Sequence, residues 1–330
     1  MKKLMNAPEV ILNEALRGFA EAHSDLVRFD PECRSVFRRN KKGHGKVALI
    51  SGGGSGHEPM HIGYVGLGML DAACAGQIFT SPTPDQIIAA AKEADTGAGV
   101  LFIVKNYAGD VMNFEMAAEM HPGNTATLLT DDDVALRQLS GSGQGNRGVA
   151  GTIVVEKIMG AAAERGASLA ECLELGQKVN VATGSMAVAL RGCTVPGLDS
   201  PTFSLRDDEI ELGVGIHGEA GRERIPMKSA DEIAELCLGS ILDKLQPNRA
   251  DPLLLMCNGL GGTPPIELYT FYHSARERLV QLGYRVDRSL VGTFCTALDM
   301  AGASLTVTRL DQEMLSFWDE PAETPTFRCH

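Results

Sequence analysis

Apolar residues along this chain recur first at helical spacing and then in short continuous runs. Val10, Leu12, Ala15, Leu16 and Phe19 fall on one face of a helix, so residues 8–23 are predicted as an amphipathic helix that needs a partner to cover it. Lys46–Ile50 (KVALI), Gly99–Val104 (GVLFIV) and Thr125–Leu129 read as buried strands. Pro84–Glu93 (PDQIIAAAKE) has helical composition with Pro84 at its mouth, and Gly148–Ala163 and Ser168–Lys178 continue as helices. Strands alternating with helices at these spacings predict an α/β domain with a largely parallel sheet flanked by helices.

Strands become more frequent further on. Met186–Leu190, Glu209–Val214, Pro252–Cys257, Tyr284–Arg288, Gly292–Phe294 and Ser304–Leu310 have strand patterns, with helices at Ala230–Leu245 and Pro265–Leu282. This predicts a second α/β domain with a mixed sheet, and a division into residues 1–184 and 185–330. A length of 330 residues supports two cores.

Composition narrows the partners. Forty-two acidic and 30 basic residues give a net charge of −12, which repels nucleic-acid backbones and anionic lipid, so neither nucleic acid nor membrane is expected as a partner. The one basic run, Arg38-Arg39-Asn40-Lys41-Lys42, reads as a solvated loop. No apolar stretch reaches the ~18–20 residues of a membrane span, and no apolar segment near the start resembles a signal peptide, so the expected location is cytoplasmic. The eight cysteines are scattered without a Cys-x-x-Cys pair and read as reduced, mostly buried residues. No histidine pair has metal-ligand spacing on a helix, so no protein-held metal is expected.

Three loops concentrate the candidate chemistry. Ser51–Pro59 (SGGGSGHEP) follows the KVALI strand, where glycines let the backbone approach a bound oxygen-rich group; the alternative is a flexible turn. It is neither a dinucleotide fingerprint nor a Walker loop, and His57 within it favours a small polar ligand. Lys105–Asp110 (KNYAGD) follows the GVLFIV strand and places a cation, the Asn106 amide and a carboxylate in one loop. Asp110 reads either as the N-cap of a helix over Val111–Met120 or as a general base beside Lys105. Gly213–Glu219 (GVGIHGE) sets His217 between glycines, either as a surface histidine or as a reactive one, with Glu219 as its orienter. Histidines 23, 44, 61, 121, 273 and 330 lack such context.

Together, GGGSGHEPM at Gly52–Met60, KNYAGD and GVGIHGE resemble the dihydroxyacetone-binding subunit of bacterial dihydroxyacetone kinases of the phosphoenolpyruvate- and phosphotransferase-dependent type. FTSPTPDQ at Phe79–Gln86, DDDVA at Asp131–Ala135, CTVP at Cys193–Pro196 and TALDM at Thr296–Met300 extend the resemblance over nearly the whole chain. It implies two α/β domains, a homodimer and a role in glycerol metabolism. It also implies that His217 adds to the carbonyl carbon of dihydroxyacetone as a hemiaminal, that Asp110 is the base on the accepting hydroxyl, and that His57 assists the transfer. Gly54, Ser55, Gly56, His57, Lys105 and Asp110 match substrate-binding positions. The resemblance puts ADP and magnesium on a separate helical subunit, recharged by a phosphocarrier, and no cofactor on this chain. Gln246–Asp251 (QPNRAD) is a shorter link than the family pattern, and Cys257–Gly261 (CNGLG) departs from it too. A sensor or coactivator paralogue, or a kinase subunit for a longer ketose such as erythrulose, are the alternatives.

Overall fold

A computed structural model describes residues 2–41, 43–135, 145–219 and 221–329; Lys42 of the basic run and His330 lie outside them. The chain divides into two compact units, each built from separate stretches rather than from one cut near residue 184. The first comprises Met1–Thr130, Val155–Lys178 and Met314–His330, the second Asp131–Val154 and Val179–Glu313. The reason is that most of two central helices, together with the final residues, complete the first core.

The first unit is an α/β layer. Its strands are β1 (Val27–Asp30), β2 (Ser35–Arg38), β3 (Ala48–Ser55), β4 (Ala72–Ile78), β5 (Val100–Lys105) and β6 (Thr125–Thr130), in the order β1-β2-β4-β3-β5-β6. β3 runs parallel to β4 and β5, and β5 parallel to β6, whereas β1, β2 and β4 pair antiparallel at one edge. The helices are α1 (Ile11–Ala22), α2 (Pro84–Ala94), α3 (Ala108–Met120), α4 (Thr152–Glu164) and α5 (Leu169–Val181). β4, with the sequence AACAGQI, is not legible as a strand because Ile78 at its end is its only β-branched residue. Its small side chains suit it to lie against the glycines of β3, where Gly52 and Gly53 oppose Cys74 and Ala75. A Cβ on Gly52 would sit 2.6 Å from the Cys74 carbonyl oxygen. The glycine stretch is therefore strand to Ser55, not loop. Arg38 corrects the reading of the basic run as solvated: it ends β2, is buried, and pairs with Asp71 at 3.2 Å and with Glu164.

The second unit carries β7 (Thr183–Arg191), β8 (Glu209–Leu212), β9 (Glu223–Pro226), β10 (Pro252–Gly259), β11 (Arg285–Gly292) and β12 (Ala301–Arg309), in the order β11-β10-β12-β7-β8-β9. Only β10 and β11 pair in parallel, so the sheet is mixed. The strand expected at 284–288 runs on to Gly292, since Ser289, Leu290 and Val291 pair with Leu255, Met256 and Cys257 without a break. Thr293 and Phe294, expected as part of a further strand, lie beyond its end. α6 (Ala230–Leu245) and α7 (Pro265–Gln281) cover the sheet through Ile233, Leu238, Leu268 and Phe271. α6 starts at Ser229, whose Oγ accepts from Glu232 N–H while Glu232 accepts from Ser229 N–H. The chain then gives α8 (Gln312–Trp318) and a small hairpin of β13 (Ala322–Glu323) and β14 (Arg328–Cys329). Among the described residues no helix is long and apolar enough to cross a membrane.

One packing contact positions α3. Its buried residues are Asp110, Phe114 and Ala117, spaced as one helical face. Phe114 packs edge-on against Phe102 of β5, with ring centroids 5.6 Å apart and an interplanar angle of 68°. The stripe that docks the helix thus also sets Asp110 one turn earlier. Phe102→Ala is expected to cost about 3–5 kcal/mol in urea unfolding, because both rings are fully buried and the site cannot collapse around the loss.

Candidate active site

The first unit places the glycine-rich and KNYAGD candidates at the carboxyl ends of β3 and β5, the edge where parallel sheets bind ligands. Lys105 ends β5 and is fully buried. Its ammonium donates to the Gly52 carbonyl at 3.0 Å and lies 3.6 Å from Asp110 Oδ2. A Cβ on Gly53 would strike the Lys105 Nζ and come within 3.5 Å of Asp110 Oδ2, so this glycine makes room for the ion pair. Gly54 is equally constrained: a Cβ there would meet Phe79 and Thr80 backbone atoms at 2.6–2.8 Å. Phe79, at φ 54°, stacks on His57 with centroids 5.2 Å apart and an interplanar angle of 18°. Gly54, His57, Lys105 and Asp110 thereby lie at or just beyond the carboxyl ends of the adjacent strands β3 and β5. Ser55 donates its hydroxyl to the Gly76 carbonyl at 2.8 Å, and the Gly56 N–H is held by Glu58 at 2.9 Å. Both atoms are therefore engaged in shaping the turn.

Asp110 is not an N-cap. The helix begins at Ala108 with Tyr107 as its cap, so Asp110 is the third residue of the first turn. Carboxylates are favoured there by the helix dipole. Asp110 is buried, and its Oδ1 has no hydrogen-bond partner among the described residues.

His61, set aside on sequence grounds, stands directly behind this pair. Its Nε2 is 2.9 Å from Lys105 Nζ, and its Nδ1 is 2.6 Å from Glu156 Oε1 of α4 and 3.1 Å from Ser51 Oγ. Burial, then the charges of Lys105 and His57, hold the His61 imidazole well below its ordinary pKa, so it is neutral. An ammonium has only donors, so Nε2 accepts from Lys105 and Nδ1 carries the proton that points to Glu156. Burial pushes the Glu156 carboxyl up to about 8, against the opposing pull of Lys105 and a hydrogen bond with Ser51. The sequence did carry a signal for Glu156: a carboxylate set among Ile153, Val154, Val155, Ile158 and Met159 has to find a buried partner.

His217 belongs to the second unit, in the loop after β8, where Gly213 turns the chain at φ 78°. Its side chain is about one-fifth exposed. Glu219 braces this loop rather than the imidazole: its Oε2 accepts from the His217 backbone N–H at 2.7 Å, whereas its Oε1 lies 4.0 Å from the ring Nδ1, beyond hydrogen-bond reach. Arg147 holds Glu219 at 3.3 Å, the Gly213 carbonyl at 2.8 Å and Asp133 at 2.6 Å. Burial pushes Asp133 up to about 6, while Arg147 and the Ala135 N–H oppose the shift. Among the described residues no group of three His, Cys, Asp or Glu could hold a metal ion.

Residues 17–326 match the Dak1 domain. The chain is 45% identical to the PEP-dependent dihydroxyacetone kinase, dihydroxyacetone-binding subunit DhaK of Escherichia coli (strain K12), over 98% of each chain. It is 48% identical to the DhaK subunit of PTS-dependent dihydroxyacetone kinase 1 of Listeria innocua, over 95% of each. Among solved structures it is similar to the dihydroxyacetone kinase operon co-activator DhaQ, with a TM-score of 0.91 at 32% identity, covering 96% of this chain and 98% of that one. The chain belongs to the Dak1 family, the family of these dihydroxyacetone kinase subunits.

Proposed function

We propose that this chain is the dihydroxyacetone-binding subunit of a dihydroxyacetone kinase. It holds the ketone as a hemiaminal on His217 and presents a terminal hydroxyl to a phosphoryl group from a separate helical subunit that carries ADP and magnesium. A phosphocarrier of the phosphotransferase system recharges that subunit, the product is dihydroxyacetone phosphate, and the chain works in the cytoplasm as a homodimer. The observation that carries the reading is the buried Lys105–Asp110 pair at the glycine-lined sheet edge, in a chain 45–48% identical to dihydroxyacetone-binding subunits.

The roles follow from the chemistry of each group. A ring nitrogen of neutral His217 attacks the carbonyl carbon; the carbonyl oxygen gains a proton as the imidazole loses its own, so atoms and charge balance. Only a ketone or aldehyde can accept this bond, which excludes glycerol on chemical grounds. Asp110 takes the proton of the attacking hydroxyl, a role supported by its buried Oδ1, which has no hydrogen-bond partner among the described residues. Lys105 balances the Asp110 charge, and His57, fixed by Phe79, assists the transfer. Gly54, Ser55 and Gly56 shape the wall around the substrate.

The likeness to the co-activator favours one second reading, a dihydroxyacetone sensor that acts through a protein partner. Turnover separates the two. Chain mixed with a nucleotide-binding subunit, ADP, magnesium and a phosphodonor relay should yield triose phosphate; none from any cognate partner would support the sensor. Intact-mass measurement after incubation with dihydroxyacetone should show an adduct that is lost in His217→Ala. An undiminished adduct in that variant refutes the covalent role. Asp110→Asn should keep the adduct while turnover falls about 10²- to 10⁴-fold. Wild-type turnover there removes Asp110 as the base.

A further inference from the structure

The line Glu156–His61–Lys105–Asp110 runs from the core to the sheet edge through contacts of 2.6, 2.9 and 3.6 Å. Glu156, His61, Lys105 and Asp110 are all buried, so water does not compete for these contacts. Lys105 is a donor on every side: to Gly52, to His61 and toward Asp110. A fully buried ammonium keeps a fixed direction only if its acceptors are fixed, and His61 is an acceptor only in its Nδ1–H tautomer. Glu156 Oε1 and Ser51 Oγ are the atoms that select it, and Ser51 itself donates to the Ile103 carbonyl at 2.7 Å.

From this geometry we infer that Glu156, acting through His61, is a positioning residue that fixes the Lys105 ammonium against Asp110. The inference rests on the proposed kinase reading for its kinetic consequence but not for its structural one. Neither His61 nor Glu156 touches Asp110. They act by setting which imidazole nitrogen bears the proton and therefore where Lys105 points. When Glu156 ionises, its bond from His61 becomes charge-assisted and stronger, Nε2 becomes more electron-rich, and Lys105 is held more firmly. The groups facing this carboxyl are His61, Ser51 and Lys105, with His57 beyond His61 and Lys157 beside it on α4. Lys157 turns the other way, donating to the Phe317 carbonyl at 3.0 Å.

The test pairs kinetics with a measurement that needs no turnover. Glu156→Gln keeps an oxygen for the His61 N–H but cannot ionise. In the assay reconstituted with the nucleotide-binding subunit, wild-type kcat should rise with pH through a limb near 8. The variant should lose that limb, ending about five- to tenfold below wild type at pH 9 with KM little changed. A limb that persists in the variant overturns the inference. Nitrogen-15 histidine spectra of the chain alone should show His61 as the neutral Nδ1–H tautomer, its Nε2 resonance moving between pH 7 and 9 in wild type and static in Glu156→Gln. A charged or Nε2–H His61 overturns the inference even if the variant fails to fold. No turnover by wild type at any pH counts against the kinase reading alone, since the spectra still decide the relay.

Discussion

The organisation of the first unit follows from one demanding constraint, an ammonium with no access to water. An uncompensated buried charge costs several kcal/mol, so the chain has to surround Lys105 with acceptors and a counter-charge. Each is delivered by a different element: Gly52 from β3, His61 from the turn beyond it, and Asp110 from α3. Gly53 contributes by lacking a side chain, since a Cβ there would occupy the position of the ammonium. A glycine run at this sheet edge is therefore as much a consequence of the buried lysine as of any ligand.

The second unit solves a related problem with a different cation. Arg147 presents a planar fork, and its nitrogens reach Asp133, Glu219 and the Gly213 carbonyl at once. The loop carrying His217 is thus tied at both its start and its end. The imidazole stays partly exposed while its backbone is fixed, which suits the role proposed for His217.

Much of this was legible in the chain. The α/β class, the mixed second sheet and helices such as Ala230–Leu245 follow from periodicity and capping residues, because those elements bury one continuous apolar face. β4 was not legible, since its pairing depends on the glycines of β3 and not on its own propensity. The three loops stood out because each sets glycine beside a carboxylate and either a histidine or a lysine just after a strand. Their supporting residues did not. His61 and Glu156 are 95 positions apart, and only the tertiary structure brings an isolated histidine and an isolated carboxylate to 2.6 Å. Asp110 shows a different limit: the sequence leaves it open between a helix cap and a general base, and only the observed helix, which starts two residues earlier at Ala108, removes the cap.

The discontinuity of the two units has a consequence for biosynthesis. The first unit supplies the beginning of the chain but also needs Met314–His330, among which Met314, Trp318, Ala322 and Phe327 are buried. On a ribosome, residues 179–313 emerge before that last segment, so the second unit has its full complement of sequence first. The unit that begins first is finished last. Until Trp318 and Phe327 have emerged, the surface they will cover stays open, and a chaperone would act on that state of the nascent chain.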